Sequence, residues 1–226
     1  MPGRLRVKNT FGERSVQSNS KDTRSVYLIS IAGEGKTEEL YFDGIYNMDS
    51  TSIIKIERLE KHDETDTKSH PNYVIELLDE RKGQWEEHGF MPDELWMVVD
   101  RDKQNVSSDQ LFSIIEKCKS EGYNLALSNP TFEFWLLLHI TDFESYDNKM
   151  LLSNPKPKAK SKKRFIETEL SRLIGGYNKK NLQFEKFEDG INNAIKRAKK
   201  LPTDNLELIN NLGTSVCFLV EKLIQK

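Results

Sequence analysis

Three acids at two places in this chain have the types and spacing to do chemistry. Asp100 and Asp102 close the run Glu94-Leu95-Trp96-Met97-Val98-Val99-Asp100-Arg101-Asp102, and Glu34 stands between two glycines in Ala32-Gly33-Glu34-Gly35-Lys36-Thr37-Glu38. Residues i and i+2 of an extended chain point the same way, so the two aspartates could converge on one cation. Hard oxygen donors with no imidazole or thiolate beside them suit Mg2+ or Mn2+, which keep their own waters and accept phosphate oxygens. Ions held this way orient a phosphodiester, stabilise developing negative charge and lower the pKa of an attacking water. A glutamate beside them moves a proton or holds a second ion. The bland alternative is a D-x-D loop that caps a helix or pairs with Arg101.

Both places fall where an apolar, β-branched run stops, at the C-terminal edge of a strand, which is where open parallel sheets bind ligands. After Glu34, Thr37 is expected to cap a helix through Leu40, Tyr41, Ile45 and Tyr46, with Glu38 and Glu39 in its first turn complementing the dipole. Residues 53 to 59 alternate apolar and charged side chains and read as a strand nearer the sheet's edge. Pro71 opens a helix with Tyr73, Val74, Leu77 and Leu78 inward. A further helix over 109 to 121 turns Leu111, Ile114, Ile115 and Cys118 inward and closes at Gly122. A short strand over 123 to 127 is broken by Asn129-Pro130 before an unusually apolar helix, 132 to 140. This alternation predicts an α/β fold, a mostly parallel four-stranded sheet flanked by helices. If the first strand lies beside the third, Glu34 shares a crevice with Asp100 and Asp102. Glu133, the one acid in the first turn of the apolar helix, either complements the dipole or joins the cluster as a metal or water ligand. His139 reads as a hydrogen-bonded core or edge histidine.

A length of 226 residues with a formal charge of -2 suits one main domain. The expected division is a polar arm over 1 to 24, an α/β core over 25 to 145, and a basic linker with a C-terminal helical region over 146 to 226. The overall charge is not that of a nucleic-acid binder, so any basic surface is local. Six of the nine residues from 156 to 164 are basic: Lys156, Lys158, Lys160, Lys162, Lys163 and Arg164. They read either as a phosphate-seeking patch or as a solvated linker. The stretch 61 to 70 carries His62 and His70 among carboxylates but has no recognisable ligand spacing. Cys118 and Cys217 read as reduced core residues of a cytoplasmic protein, and no apolar run is long enough to span a bilayer. A rival reading takes Gly35-Lys36-Thr37 as the end of a phosphate-binding loop and Asp100 as a magnesium-holding strand terminus. The loop pattern, however, wants glycine where Ser30 stands, and Glu34 would bring negative charge to bound phosphates.

The ordered set Gly33-Glu34-Gly35-Lys36-Thr37-Glu38 with Tyr41-Phe42, then residues 95 to 102, then Ser128-Asn129-Pro130-Thr131-Phe132-Glu133-Phe134-Trp135 through His139, resembles the RloB-like family. Gly176-Tyr177-Asn178-Lys179 and Asn211-Leu212-Gly213-Thr214-Ser215-Val216 extend the resemblance, which covers roughly residues 25 to 226. It implies a TOPRIM-like domain, the α/β metal-binding fold shared with topoisomerases, primases and OLD-type nucleases. Glu34 would be its glutamate and Asp100 and Asp102 its D-x-D pair. It further implies a component of prokaryotic restriction-associated or abortive-infection defence, a nuclease acting on DNA or RNA and controlled by an AAA-type ATPase. In that role Lys36 and the Lys156 to Arg164 stretch would contact nucleic acid, and a homodimer is allowed.

Overall fold

The computed structural model describes residues 25–32, 35–48, 53–59, 71–89, 92–101 and 106–224. The expected arm, Glu34, Asp102 and the stretch 61–70 with its two histidines lie outside them. Among the described residues the chain forms β1 (Val26–Ala32), α1 (Lys36–Asn47), β2 (Ile53–Leu59), α2 (Pro71–Glu87), β3 (Glu94–Asp100), α3 (Ser108–Glu121), β4 (Asn124–Asn129) and α4 (Phe132–Ile140). There follow α5 (Asn148–Ser153), α6 (Phe165–Leu173), α7 (Glu185–Glu188), α8 (Ile191–Ala198), α9 (Asn205–Leu208), β5 (Gly213–Thr214) and α10 (Val216–Ile224).

The sheet order is β2-β1-β3-β4-β5. β1 pairs in parallel with both β2 and β3, β3 pairs in parallel with β4, and β5 runs antiparallel to β4. The sheet therefore has a fifth strand that the sequence reading of four did not include. Only two residues long, Gly213–Thr214 carries no period of its own. It is fixed by the Ser128 and Thr214 hydroxyls, 2.9 Å apart, and by the Ser215 amide donating to the Leu127 carbonyl.

Strand alternation sorts the core into two layers. Along β3, Trp96 and Val98 face a cluster built with α1, α4, α6, α8 and α10, while Leu95, Met97 and Val99 face Ile75 and Leu78 of α2 and Leu111, Ile114, Ile115 and Cys118 of α3. The larger cluster runs from Tyr27 to Leu223, so the change of sequence texture near residue 146 is crossed by continuous packing. Both cysteines are free and buried, and burial pushes their thiols up, Cys118 to about 12 and Cys217 to about 11. Among the described residues no helix is long and apolar enough to cross a membrane.

The apolar helix α4 is buried from Phe132 to His139 because protein surrounds it, the sheet on one side and α6 and α8 on the other. Its C-terminal carbonyls need partners. Arg197 of α8 supplies them, donating to Leu138 O at 2.6 Å and His139 O at 3.3 Å. His139 is a satisfied core residue: Nδ1 donates to Trp135 O at 2.9 Å and Nε2 accepts from the Tyr41 hydroxyl at 3.0 Å. Burial drives its pKa down to about 3, so it stays neutral. Gly190, just before α8, lets the two helices approach, since a Cβ there would lie 2.5 Å from His139 O. Gly190→Ala is expected to cost about 2–3 kcal/mol and to lower the melting temperature by roughly 4–12 °C. An unchanged thermal melt would show that α8 can slide away at no cost.

Candidate active site

The order of the sheet puts a switch point between β1 and β3, because the chain moves from β1 outward to β2 on one side and to β3 on the other. In such sheets the crevice beyond the carboxyl ends of these strands is open to ligands. Asp100 ends β3 at that crevice. It continues the alternation of Trp96 and Val98, so its carboxylate faces the layer of α1 and α4, and Arg101 turns to the opposite face. There Arg101 is buried, with Nε donating to Ile209 O at 3.0 Å and the guanidinium nitrogens to Val106 O at 2.5 Å and Ser108 Oγ at 3.0 Å. Arg101 thus anchors the strand end from behind.

Two further carboxylates face Asp100. Glu38 comes from the first turn of α1, and Glu133 from the first turn of α4, where it is only 4% exposed. Asp100 has its pKa raised well above the ordinary aspartate range, chiefly by burial and then by the charges of Glu38 and Glu133; Lys179 and the Phe132 amide offset part of this. Glu38 is pushed from 4.5 up to about 7, again by burial first and Glu133 second. Asp100 Oδ1 is buried and has no hydrogen-bond partner, and neither does the Thr131 hydroxyl at the N-cap of α4. Thr131 therefore does not cap by its side chain. Nor does Thr37: the residue flanking α1 is Gly35, with φ 43°, and Thr37 is buried inside the first turn.

The segment after α6 closes over these acids. Tyr177 donates its hydroxyl to Glu133 Oε1 at 3.0 Å. The Lys179 ammonium lies 2.9 Å from Glu133 Oε1 and 2.6 Å from Glu167 Oε1. Thr37 donates to the Lys179 carbonyl at 3.1 Å, tying the segment back to α1. Burial disfavours the ammonium, but Glu133 and Glu167 outweigh it and hold its pKa above the usual lysine range. Burial, then Glu133, raises the Tyr177 phenol, so it remains a donor at neutral pH.

The structure thus brings Asp100 and Glu133 together, while Glu34 and Asp102 fall outside the described residues. The arrangement that was conditional in the sequence, β1 beside β3, is present. Lys36 pairs with Glu39 at 3.0 Å on the surface of α1. Lys163 is taken up by Ser171 Oγ at 2.6 Å and Tyr177 O at 2.8 Å, and Arg164 reaches Asn154 O at 3.4 Å. Lys156, Lys158, Lys160 and Lys162 are exposed. Glu38, Glu167, Tyr177 and Lys179 were not picked out as site residues from sequence. Glu38 read as a dipole-complementing residue, and Lys179 had only its place in Gly176-Tyr177-Asn178-Lys179 to mark it.

Among the described residues no group of three or more acids, histidines or cysteines is already arranged as a chelate. The donor chemistry nonetheless fits a hard cation: oxygen ligands only, one buried carboxylate oxygen without a partner, and acids whose mutual repulsion a dication would relieve. The family model for RloB-like proteins matches residues 29–223. The chain belongs to the RloB-like family. The matched span takes in the C-terminal half of β1, the acids on α1, β3 and α4, the Tyr177–Lys179 segment and most of α10, so the described acids and the segment that covers them lie within the family's extent. No curated protein and no solved structure matches the chain.

Proposed function

We propose that the chain is a Mg2+- or Mn2+-dependent nuclease with a TOPRIM-like core, acting on nucleic-acid phosphodiesters in a prokaryotic anti-phage defence system. The observation that carries this reading is the buried, partnerless carboxylate oxygen of Asp100 at the switch-point crevice, facing Glu38 and Glu133. Asp100, Asp102 and Glu34 would hold the cation, with Glu133 at its edge. When bound, the cation supplies charge stabilisation for the phosphoryl oxygens and acidifies a water. The chain's own residues do the rest. Glu38, whose pKa burial and then Glu133 raise to about 7 without the cation, is the acid placed to take or return a proton. Tyr177 and Lys179 fix the Glu133 carboxylate, and the Lys179 side chain, 51% exposed, can present positive charge to a phosphate from outside. The exposed Lys156, Lys158, Lys160 and Lys162 would gather the strand by charge, with a salt dependence set by the phosphates they neutralise. An AAA-type ATPase partner would license cleavage.

Cleavage of plasmid DNA and of single-stranded DNA and RNA, followed with Mn2+ for wild type, Glu34→Gln and Asp100→Asn, tests this, with and without the ATPase. Nicking or degradation that both substitutions abolish is the expected result. Cleavage undiminished in both removes the site. Nucleotide turnover lost in Lys36→Ala would select the phosphate-loop reading instead, and cation binding without turnover of any substrate would make the chain an adaptor of the ATPase.

A further inference from the structure

Behind the segment that closes over the acids lies a cavity of about 350 Å³, lined in part by Lys163 and Lys186 and by the carboxamides of Asn178, Asn181 and Gln183. Among the described residues no acid lines it, in a chain with more acids than bases. Each ammonium carries three donors. Lys186 uses one on Ile174 O at 2.9 Å, and Lys163 uses two, on Ser171 Oγ and Tyr177 O. Two lysines and three amide residues thus line the cavity, while Leu182 and Phe187 behind them are buried. Its wall is bare at Gly175 and Gly176, whose φ values of +71° and +128° suit glycine. The volume lies at the lower end of the roughly 300–1,000 Å³ range of small-molecule sites, enough for one nucleotide and too little for a duplex.

Tyr177 joins this cavity to the acids. Its hydroxyl donates to Glu133 Oε1, and its carbonyl accepts from Lys163 in the cavity wall. Lys163 in turn belongs to the basic stretch, 156 to 164, whose exposed lysines begin at Lys156.

We infer that this cavity is a binding site for a single nucleotide unit, its phosphate met by Lys163 and Lys186, its base edge by the carboxamides and its base face by Ile174 and the bare backbone at Gly175 and Gly176. The assignment to a nucleotide of the substrate strand, next to the bond cut at Asp100, rests on the nuclease reading; the nucleotide site itself does not. Carboxamides read base edges, and ammonium groups meet phosphate as point charges, so the lining matches both halves of the ligand. The Lys163–Tyr177–Glu133 chain of contacts makes the occupied cavity a positioning device for the acids.

Binding is measured in EDTA, where no metal-dependent cleavage occurs, by calorimetry with the four ribonucleoside and four deoxyribonucleoside monophosphates and with inorganic phosphate. Anisotropy with a labelled short single-stranded oligonucleotide, in the presence and absence of each monophosphate, completes the set. At least one monophosphate is expected to bind more tightly than inorganic phosphate and to displace the oligonucleotide. Lys186→Glu is expected to weaken both ligands by about tenfold or more. Lys186→Gln, which removes the charge and keeps a donor for Ile174 O, should weaken them in the same order with an unchanged melting temperature. Changing Lys156, Lys158, Lys160 and Lys162 together to Glu should weaken the oligonucleotide and leave the monophosphate alone. Failure of every monophosphate to bind, or unaltered binding in both Lys186 variants, overturns the site. A monophosphate that binds through Lys186 without displacing the oligonucleotide overturns the substrate-strand assignment and marks the ligand as a free nucleotide. Absence of nuclease activity in the cleavage assay would leave these binding results readable by themselves.

Discussion

Asp100→Asn is expected to reduce the proposed cleavage by on the order of 10³-fold in a protein more stable than its parent at neutral pH. The two effects have one cause. The Asp100 carboxylate is buried and faces Glu38 and Glu133, so ionising it costs free energy in the folded state that the unfolded chain does not incur. An acid whose folded pKa is raised holds its proton longer when folded, and stability falls with pH wherever the folded state binds more protons. The favourable contribution is therefore complete below the unfolded pKa and is lost as pH rises through the folded one. Glu38 gives the window its scale, from 4.5 in the free side chain to about 7 in the fold. Glu38→Gln should accordingly gain on the order of 3 kcal/mol over wild type above that window, or roughly 6–12 °C in melting temperature, and almost nothing near pH 4. Asp100→Asn should show the same sign, with a gain that widens as pH rises. Thermal melts at half-unit steps from pH 4 to 9 check both. Variants whose melts run parallel to wild type at every pH would mean that the acids do not repel one another, and the case for a cation site would lose its driving force.

Much of the fold around these acids was legible in the sequence, and the parts that were not have physical reasons. β1, β2, β3 and α4 occupy the residues their patterns predict, because each is a long apolar or amphipathic run bounded by clear breakers. Asp100 followed from strand alternation alone, and Glu133 from its isolation in an apolar helix. β5 was missed because two residues have no period, and the anchoring of Arg101 to Ile209, Val106 and Ser108 has no local signal in the sequence. Glu38 was hidden by a second job it could do equally well, since an acid in a helix's first turn is favourable without any ligand. Glu167, Tyr177 and Lys179 reach the site only through long-range packing of the C-terminal helices, and single-sequence periodicity carries no information about which distant loop covers a crevice. The basic stretch divides for the same reason. Lys163 and Arg164 meet acceptors on Ser171, Tyr177 and Asn154, while the four lysines before them remain exposed.

Lys179→Met separates the role of the covering segment from that of the acids. The substitution keeps the length of the side chain but leaves Glu133 and Glu167 facing each other with no cation between them, their side chains 5% and 10% exposed. Removing one member of a fully buried ion pair costs about 3–5 kcal/mol. Because half of the Lys179 side chain is in water, screening brings the expected loss down to about 2 kcal/mol, or roughly 4–8 °C in melting temperature. Its pH dependence has the opposite character to that of Asp100→Asn. A lysine whose folded pKa is raised stabilises the fold fully below its ordinary value of 10.5 and stops doing so only as pH climbs through the folded value; Glu38 and Asp100 also lose its offsetting charge, so the deficit of the variant grows as pH rises through the neutral range. The vacated carboxylates then offer a divalent cation what Lys179 supplied. Millimolar Mn2+ should raise the melting temperature of Lys179→Met by more than that of wild type, and Asp100→Asn in the same background should remove the difference. A variant that melts like wild type would show the Lys179 ion pairs to be energetically neutral. A deficit that Mn2+ leaves untouched would show that the acids around Asp100 hold their lysine and do not accept a metal in its place.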